Sequence, residues 1–506
     1  MADLVRIMLK PLGHEFTVER GTPLQDVLFT YGVEFPCGGN AACEGCKLRV
    51  LSGNLAVTPE QENILSRKEI EEGWRLACCC SAEEDITLEL EQWEARVLSD
   101  ETRFKFTPRR GLGVAIDLGT TTLAAQLLDL SSGDVLAVET ALNEQGRFGA
   151  DVMSRIFYAV SEHGQKVLEQ AIRTQLKGLV TSLVASAGAD PSLVLDVVIV
   201  GNTVMHHLFS GIDVTPLSQY PFESPNYGLQ RFQPEDLGWS MIPHATARFL
   251  PCLGSFVGSD ILAGILATGV HRSKVLVGLI DLGTNGEIVL GNRERLLFCS
   301  TAAGPAFEGS CIKMGMRATT GAIAQVTAEN GGFKCRVLGH GLPRGICGSG
   351  LVDAVAVGLT TQHIREDGKI LKGNGSVPLC PPVEITQSDI RELQVAKAAI
   401  AAGVQILLND LGRSVEDVNK LYLAGAFGNY IDRTNAHRIG LLRIPLERIE
   451  PAGNSALLGA KLALFNGDER VFSEIKQIAR HVSLNTDEQF QDIFVGEMSF
   501  PLAEEV

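Results

Sequence analysis

The centre of Val114-Ala-Ile-Asp117-Leu-Gly119-Thr120-Thr121-Thr122, Ile116 to Thr120, returns word for word at Ile280–Thr284, within Leu279-Ile-Asp281-Leu-Gly283-Thr284-Asn285-Gly286-Glu287. Each copy begins as the short apolar run of a buried strand, ends in an Asp, and turns at once through Gly-Thr. Glycine lets the main chain come close to a phosphate. The N–H groups and Thr hydroxyls of such a turn donate to phosphate oxygens, and the Asp holds the accompanying magnesium directly or through water. One strand followed by a Gly turn is common in α/β folds. Two near-identical copies about 160 residues apart predict two similar subdomains facing one nucleotide, rather than two ordinary hairpins. On this reading Asp117 and Asp281 hold Mg2+, while Gly119, Thr120, Thr121, Thr122, Gly283, Thr284, Asn285 and Gly286 surround the phosphates of the nucleotide.

The 506 residues predict several domains and a large core. A net charge of −16 argues against nucleic acid or an anionic membrane as partner. Residues 1–100 carry 9 basic and 18 acidic residues, so more than half of the imbalance lies there, as a solvated face or one that steers a basic partner. No apolar run approaches the length of a membrane span, and Met1-Ala-Asp-Leu-Val-Arg6 lacks the basic-then-apolar pattern of a signal peptide. The expected location is cytoplasmic, where twelve cysteines do not form a disulfide framework.

Six of those cysteines fall within residues 37–80. The spacing Cys37-x5-Cys43-x2-Cys46, followed some thirty residues on by Cys78-Cys79-Cys80, lies close to the plant-type pattern that holds a 2Fe-2S cluster. Three sulfurs on one tight loop wrap one side of a small cluster, Gly38 and Gly39 turn N–H groups toward sulfide, and a fourth sulfur on a distant strand clamps it. A structural zinc is the alternative, although zinc sites favour two paired Cys or Cys/His knuckles. The spacing alone leaves the fourth ligand open among Cys78, Cys79 and Cys80. The stretch resembles 2Fe-2S ferredoxin domains with the longer first spacing of the adrenodoxin type. Their usual ending, Leu-Ala-Cys or Leu-Ser-Cys, implies Cys37, Cys43, Cys46 and Cys78 as iron ligands.

Around these cysteines the sequence predicts a hairpin over 4–9 and 15–18, a helix over roughly 23–31 opened by Pro23, and a strand over Lys47–Leu51. A helix capped by Thr58 with Gln61 completing the capping box follows, then a closing strand Ile86–Leu90. Residues 92–111 are polar and read as a linker; twenty residues span at most about 70 Å at ~3.5 Å each. Beyond it, helical segments are expected over 152–183, a strand over 193–200, loops over 212–250 and a helix over 254–268. Gly345-Ile-Cys-Gly-Ser-Gly-Leu-Val-Asp353 reads as a Gly-rich turn opening a helix whose N-terminus favours anions. An irregular insert follows over 363–386, then one or two helices over 388–409. The pair His206-His207 is expected in a core or on a helix surface, and the later cysteines, Cys252 to Cys380, as isolated buried thiols. Glu287, at a strand edge, is expected in solvent.

Leu421-Tyr-Leu-Ala-Gly425-Ala426-Phe-Gly428-Asn429-Tyr is a third strand-to-Gly turn, followed by the small-residue helix Gly453-Asn-Ser-Ala-Leu-Leu-Gly-Ala-Lys461. The complete order is similar to that of the acetate and sugar kinase, heat-shock chaperone and actin superfamily, over roughly 112–465. That resemblance implies two ribonuclease-H-like subdomains closing on ATP, with Gly425, Ala426, Gly428 and Asn429 on the adenosine side. Glu308 is a candidate for ribose or adenine, with helix capping as its other reading. The organisation expected is therefore a β-grasp 2Fe-2S ferredoxin-like domain over 1–92, a linker over 93–111, an actin-like ATPase over 112–475 and a C-terminal extension over 476–506. The fold class is α/β plus α+β.

That pairing resembles the reductive activators of corrinoid proteins, as do Gly201-Asn-Thr-Val-Met-His-His-Leu208, Pro305-Ala-Phe-Glu-Gly309 and Leu423-Ala-Gly-Ala-Phe-Gly-Asn429. Longer members carry an extra segment before the ATPase; here some twenty residues intervene. The resemblance implies a homodimer that takes an electron from a low-potential donor and uses ATP to pass it from a 2Fe-2S cluster to the Co(II) corrinoid of a methyltransferase system, restoring Co(I). A plant-type cluster sits near about −400 mV, and each further ~59 mV of uphill transfer is tenfold in equilibrium. Nucleotide binding can supply a gap of a few such steps through differential affinity for two states. Two other readings are a redox-regulated small-molecule kinase and an electron-donating activator of another metalloenzyme.

Overall fold

The two Asp-Gly-Thr turns occupy equivalent places in two six-stranded sheets that share a five-strand order, the sixth strand joining opposite edges. The first sheet runs Val135–Leu142, Thr122–Asp129, Leu112–Leu118, Val194–Gly201, Thr246–Phe249, Gln230–Phe232. The second runs Ile449–Gly453, Lys420–Ala424, Val277–Leu282, Gly286–Gly291, Leu296–Thr301, Ala479–His481. In each, the Asp-bearing strand has its hairpin partner antiparallel on one side and a parallel strand on the other. These central strands are buried nearly throughout, as sheets covered on both faces require. The structure, a computed structural model, describes residues 3–10, 14–28, 33, 41, 46–90, 106–149, 151–161, 163–283, 285–301, 304–309, 311–316, 318, 321–338, 342–372, 375–428, 431–467 and 469–502.

The halves meet through two helices, Ser259–Thr268 and Ser455–Phe465. A Cβ on Gly459 would lie 2.1 Å from the Ala263 carbonyl oxygen, so they touch backbone to backbone. The second of these helices follows a strand of the second sheet yet packs on Leu112–Leu118 and Val194–Gly201 of the first. Both turns thereby face one cleft.

The N-terminal unit is a five-stranded sheet in the order His14–Glu19, Leu4–Lys10, Ile86–Leu90, Lys47–Ser52, Trp74–Leu76, with the first and last strands of the chain segment side by side and parallel. This is β-grasp order. Ile7, Leu9, Leu48 and Leu88 are fully buried in its core.

Several local expectations are corrected. Pro23 does not open a helix; Thr22–Pro23 pairs with Ser81–Ala82, and the helix is Leu24–Leu28, its first N–H bound to the Cys80 carbonyl at 2.9 Å. Thr58 makes no capping bond, because Gln61 is turned inward to accept the Leu76 N–H at 2.9 Å; the capping box forms instead at Ser66 and Glu69. Residues 212–250 are not merely surface loops: Thr246–Phe249 extends the first sheet in parallel and Trp239 is fully buried. The insert over 363–386 holds a hairpin, Ser376–Pro378 with Glu384–Thr386; the helix expected after it is present as one helix, Gln387–Leu411.

Within the expected linker, Phe106 packs at a tilt against Phe465 with ring centroids 4.5 Å apart, and Arg109 donates to Asp196 at 2.8 Å, so the end of this stretch lies against the first sheet. Past residue 475, Ala479–His481 joins the second sheet beside Leu296–Thr301, and Phe490–Glu497 packs on Gln387–Leu411.

Candidate functional site

The cysteine site is built from two places in the β-grasp unit. Lys47–Ser52 starts directly after Cys46, which is buried. Trp74–Leu76 runs antiparallel beside it and ends in a single 3-10 turn, Ala77–Cys79. The Ala77 N–H donates to the Cys46 carbonyl at 3.0 Å, which ties the two cysteine-bearing segments together. As a result Cys46 Sγ and Cys78 Sγ stand 3.4 Å apart as free thiols. Two converging thiols of this kind suit a shared metal centre. Cys80 points away to Gln61 Nε2 at 3.8 Å and is buried. The carrier of Cys78 is a turn, not the strand expected, so Cys79 does not face the opposite way: its sulfur lies 3.8 Å from that of Cys78. Cys37 and Cys43 lie outside the described residues.

The cleft between the two large sheets gathers carboxylates. Asp117 and Asp281 end the equivalent strands. Asp260 enters from the first turn of Ser259–Thr268, and Glu287 from Gly286–Gly291. Burial pushes Asp117 up to about 6. Burial, with the Asp117 charge adding to it, pushes Asp281 up to about 7. Asp260 rises to about 7 by burial and then by the charges of Asp281 and Asp117. Glu287 is raised well above its ordinary value by burial, Asp260 and Asp281. The solvated strand-edge position expected for Glu287 is thus corrected: its alternation with buried neighbours points it into the cleft. Acids that raise one another in this way share one site of negative potential. Among the described residues no three His, Cys, Asp or Glu side chains converge closely enough to hold a metal ion by themselves.

The first turn is held in shape from beneath. The Gly119 N–H donates to the Thr122 carbonyl at 3.2 Å, and a Cβ on Gly119 would sit 2.5 Å from that oxygen. Arg155, fully buried, donates to the Thr120 carbonyl at 2.6 Å, and Asn143 to the Gly119 carbonyl at 2.9 Å. Asn202 Nδ2 donates to Thr120 Oγ1 and Asn454 Nδ2 to Asp117 Oδ2, both at 2.8 Å. Each of these two Asn also caps a helix, accepting from the N–H of Met205 and of Leu457. At the second turn the Gly283 N–H donates to the Asn285 carbonyl at 3.0 Å; Thr284 lies outside the described residues.

The late Gly turn abuts this same place. Gly425 has φ +86°, and a Cβ there would lie 2.3 Å from Asp281 Oδ1. Phe427 stacks on Phe307 with centroids 4.3 Å apart, which brings Gly425–Gly428 beside Pro305–Glu308. The side chains of Ala426 and Glu308, and all of Asn429, lie outside the described residues. The glycines of 345–350 serve packing: a Cβ on Gly348 would sit 1.9 Å from the Phe307 carbonyl oxygen, so that helix N-terminus is covered.

Sequence reasoning did not single out Asp260, Asn202 or Asn454 as site residues. Asn202 and Asn454 each follow a strand-end Gly and precede a helix, which was a usable signal; Asp260 carried none. His206 and His207 are core residues, bound to the Gly228 carbonyl at 3.1 Å and to Ser224 Oγ at 2.6 Å. The later cysteines are not all isolated or buried: Cys311 is exposed, and the Cys335 and Cys380 thiols are hydrogen-bonded neighbours.

Residues 7–83 match the 2Fe-2S iron-sulfur cluster binding domain, 112–273 the RACo middle region, and 276–505 the C-terminal domain of RACo, the ASKHA domain. Corrinoid activation enzyme RamQ of Eubacterium limosum is 37% identical over 418 residues, spanning 77% of this chain and 70% of that protein. The chain belongs to the reductive activators of corrinoid proteins. A further relative of this activator is the [Co(II) methylated amine-specific corrinoid protein] reductase of Methanosarcina barkeri, 28% identical over 423 residues and covering 77% of each. A solved reductive activator for a corrinoid, iron-sulfur protein superposes with a TM-score of 0.69 at 29% identity, covering 98% of both chains. The activator thus joins a ferredoxin-type unit to the actin-like fold.

Proposed function

We propose that this activator passes one electron to the Co(II) corrinoid of a methyl-transfer protein, restoring Co(I), in a step driven by ATP. The observation that carries this reading is the convergence of the Cys46 and Cys78 thiols, 3.4 Å apart, in a unit fused to a carboxylate-lined cleft. Cys37, Cys43, Cys46 and Cys78 are the proposed ligands of a 2Fe-2S cluster, which supplies one-electron chemistry when bound. Cys78 is preferred over Cys79 and Cys80 because its sulfur is the one aimed at Cys46, whereas Cys80 is turned to Gln61.

In the cleft, Asp117 and Asp281 are proposed to orient Mg2+ and the attacking water, with Asp260 adding negative charge. Thr120, Thr121, Thr122, Gly119, Gly283, Thr284, Asn285 and Gly286 would surround the phosphates of ATP. Gly425, Ala426, Gly428, Asn429 and Glu308 would line the nucleoside side. Asn454 keeps Asp117 oriented, and Asn202 keeps the Thr120 hydroxyl turned. The proposed organisation is a cluster domain over 1–92, a linker over 93–111, the ATPase over 112–475 and an extension over 476–506. By family resemblance the working unit is a homodimer fed by a low-potential donor. The cytoplasm is the proposed location: free cysteines need a reducing compartment, and no helix among the described residues is long and apolar enough to cross a membrane.

The test is an anaerobic spectrum of a Co(II) corrinoid protein mixed with the reduced activator. Co(I) absorbance is expected to grow with ATP and Mg2+ and to stall without them. Equal growth in both samples overturns the coupling.

A further inference from the structure

Among the described residues, the ferredoxin-type unit meets the second half of the chain at a charged contact. Helix Leu24–Leu28 packs on the 3-10 turn that carries Cys78. Asp26, on that helix, forms an ion pair with Arg336, which projects from the strand Gly332–Val337 of the hairpin inserted after the second sheet's third strand. Both partners are removed from water, with side-chain exposures of 4% and 28%. The core of the ferredoxin-type unit belongs to one continuous buried cluster with Ala322, Ala324, Leu338 and Cys347 around this contact. The Arg336 guanidinium lies within electrostatic reach of Asp26, Cys347 and Cys78. Its Nε–H is buried and has no acceptor among the described residues. A permanent cation with a spare donor therefore is tied, through Asp26, to the helix that packs on the turn carrying an intended iron ligand, and it belongs to the other domain.

Resting on the 2Fe-2S site proposed above, we infer that Arg336 is a positioning cation which the ATPase half presents to the iron–sulfur site, Asp26 holding it there, so that the docked arrangement favours the reduced site. The charge balance is direct. Accepting one electron adds one negative charge at the cysteine site, and a fixed guanidinium in a poorly solvated contact stabilises that charge more than it stabilises the oxidised site. Arginine suits the task because it stays protonated when buried and its planar head serves Asp26 and a second acceptor together.

The experiment is an anaerobic redox titration of the full chain, read by the paramagnetic signal of the reduced site, for the unsubstituted protein, Arg336→Gln and Arg336→Lys. At the solution potential where the unsubstituted site is half reduced, the reduced-to-oxidised ratio is expected to fall about tenfold in Arg336→Gln, a shift of ~59 mV for one electron. Arg336→Lys, which keeps the charge, is expected within about twofold of the unsubstituted ratio, or ~18 mV on the same scale. Arg336→Met, which keeps the packing of the stem, replaces the glutamine variant if that protein loads its site incompletely. An unchanged ratio in the neutral variants, or a lysine variant as shifted as the glutamine one, overturns the inference while leaving the proposed function standing. No paramagnetic signal from the unsubstituted reduced protein overturns both.

Discussion

Replacing Asp260 with Asn removes one negative charge from a cleft in which carboxylates already raise one another. Asp260 sits near 7 instead of its ordinary 3.8, by burial first and by Asp281 and Asp117 next. A rise of that size corresponds to about 4 kcal/mol held against the charged form, at about 1.4 kcal/mol per pH unit. Water reaches these side chains through the cleft, and screening reduces the figure to about 2 kcal/mol. The sign follows from linkage. The folded chain keeps a proton that the unfolded chain has lost, so Asp260's own contribution to stability is fully present below pH 4, falls as pH rises toward 7, and is lost above it. The asparagine side chain has no proton to lose. Without nucleotide, at pH 8, Asp260→Asn is expected to melt about 4–8 °C higher, at about 2–4 °C per kcal/mol for domains of this size. The gain should shrink as the pH falls toward 4. With Mg2+ and a non-hydrolysable ATP analogue the order should reverse, since the original protein gains a neutralising cation and the variant gains less. The assay is thermal unfolding followed by circular dichroism at pH 8 and pH 5, with and without the ligand pair. A variant that melts at or below the original protein without nucleotide at pH 8 would refute the idea that these carboxylates repel.

Three other outcomes are expected. Cys78→Ser should abolish the iron–sulfur absorbance after anaerobic reconstitution, whereas Cys80→Ser, whose sulfur faces Gln61, should retain it. Gly425→Ala places a methyl 2.3 Å from Asp281 Oδ1 in left-handed backbone and should weaken nucleotide binding at least about tenfold, read by calorimetry, with the cluster spectrum unchanged. Asn454→Ala removes the donor to Asp117 and leaves the following helix uncapped; ATP turnover should fall about tenfold or more and the melting temperature by a few degrees, the cap alone being worth about 1 kcal/mol.

The repeated Asp-Gly-Thr segments were legible because their chemistry is local: a strand, its terminal acid and its turn occupy nine consecutive residues. The spacing of Cys37, Cys43 and Cys46 is local in the same sense, all three falling within ten residues. Glu287 was misread because an acid at a strand edge is solvated unless another sheet faces it, and the facing element comes from a different part of the chain. Thr58 with Gln61 matched a capping box by spacing, yet Gln61 bonds the strand at Leu76, fifteen residues on. Cys335 and Cys380 looked isolated because their meeting depends on a hairpin inside an insert that spacing could not order.

Periodicity and short-range motifs by themselves determined the two-part plan: a thiol-rich N-terminal unit, a duplicated phosphate-turn fold, and the family to which such a pairing belongs. Only the tertiary structure decided which carboxylates share a cleft, which of three adjacent cysteines faces Cys46, and which cation pairs with the helix packed on that cysteine turn. The physical reason is range. Backbone propensity and turn chemistry act over a few residues, whereas electrostatic pressure in a cleft and charge across a domain contact sum over side chains such as Asp26 and Arg336, separated by 310 positions in the chain.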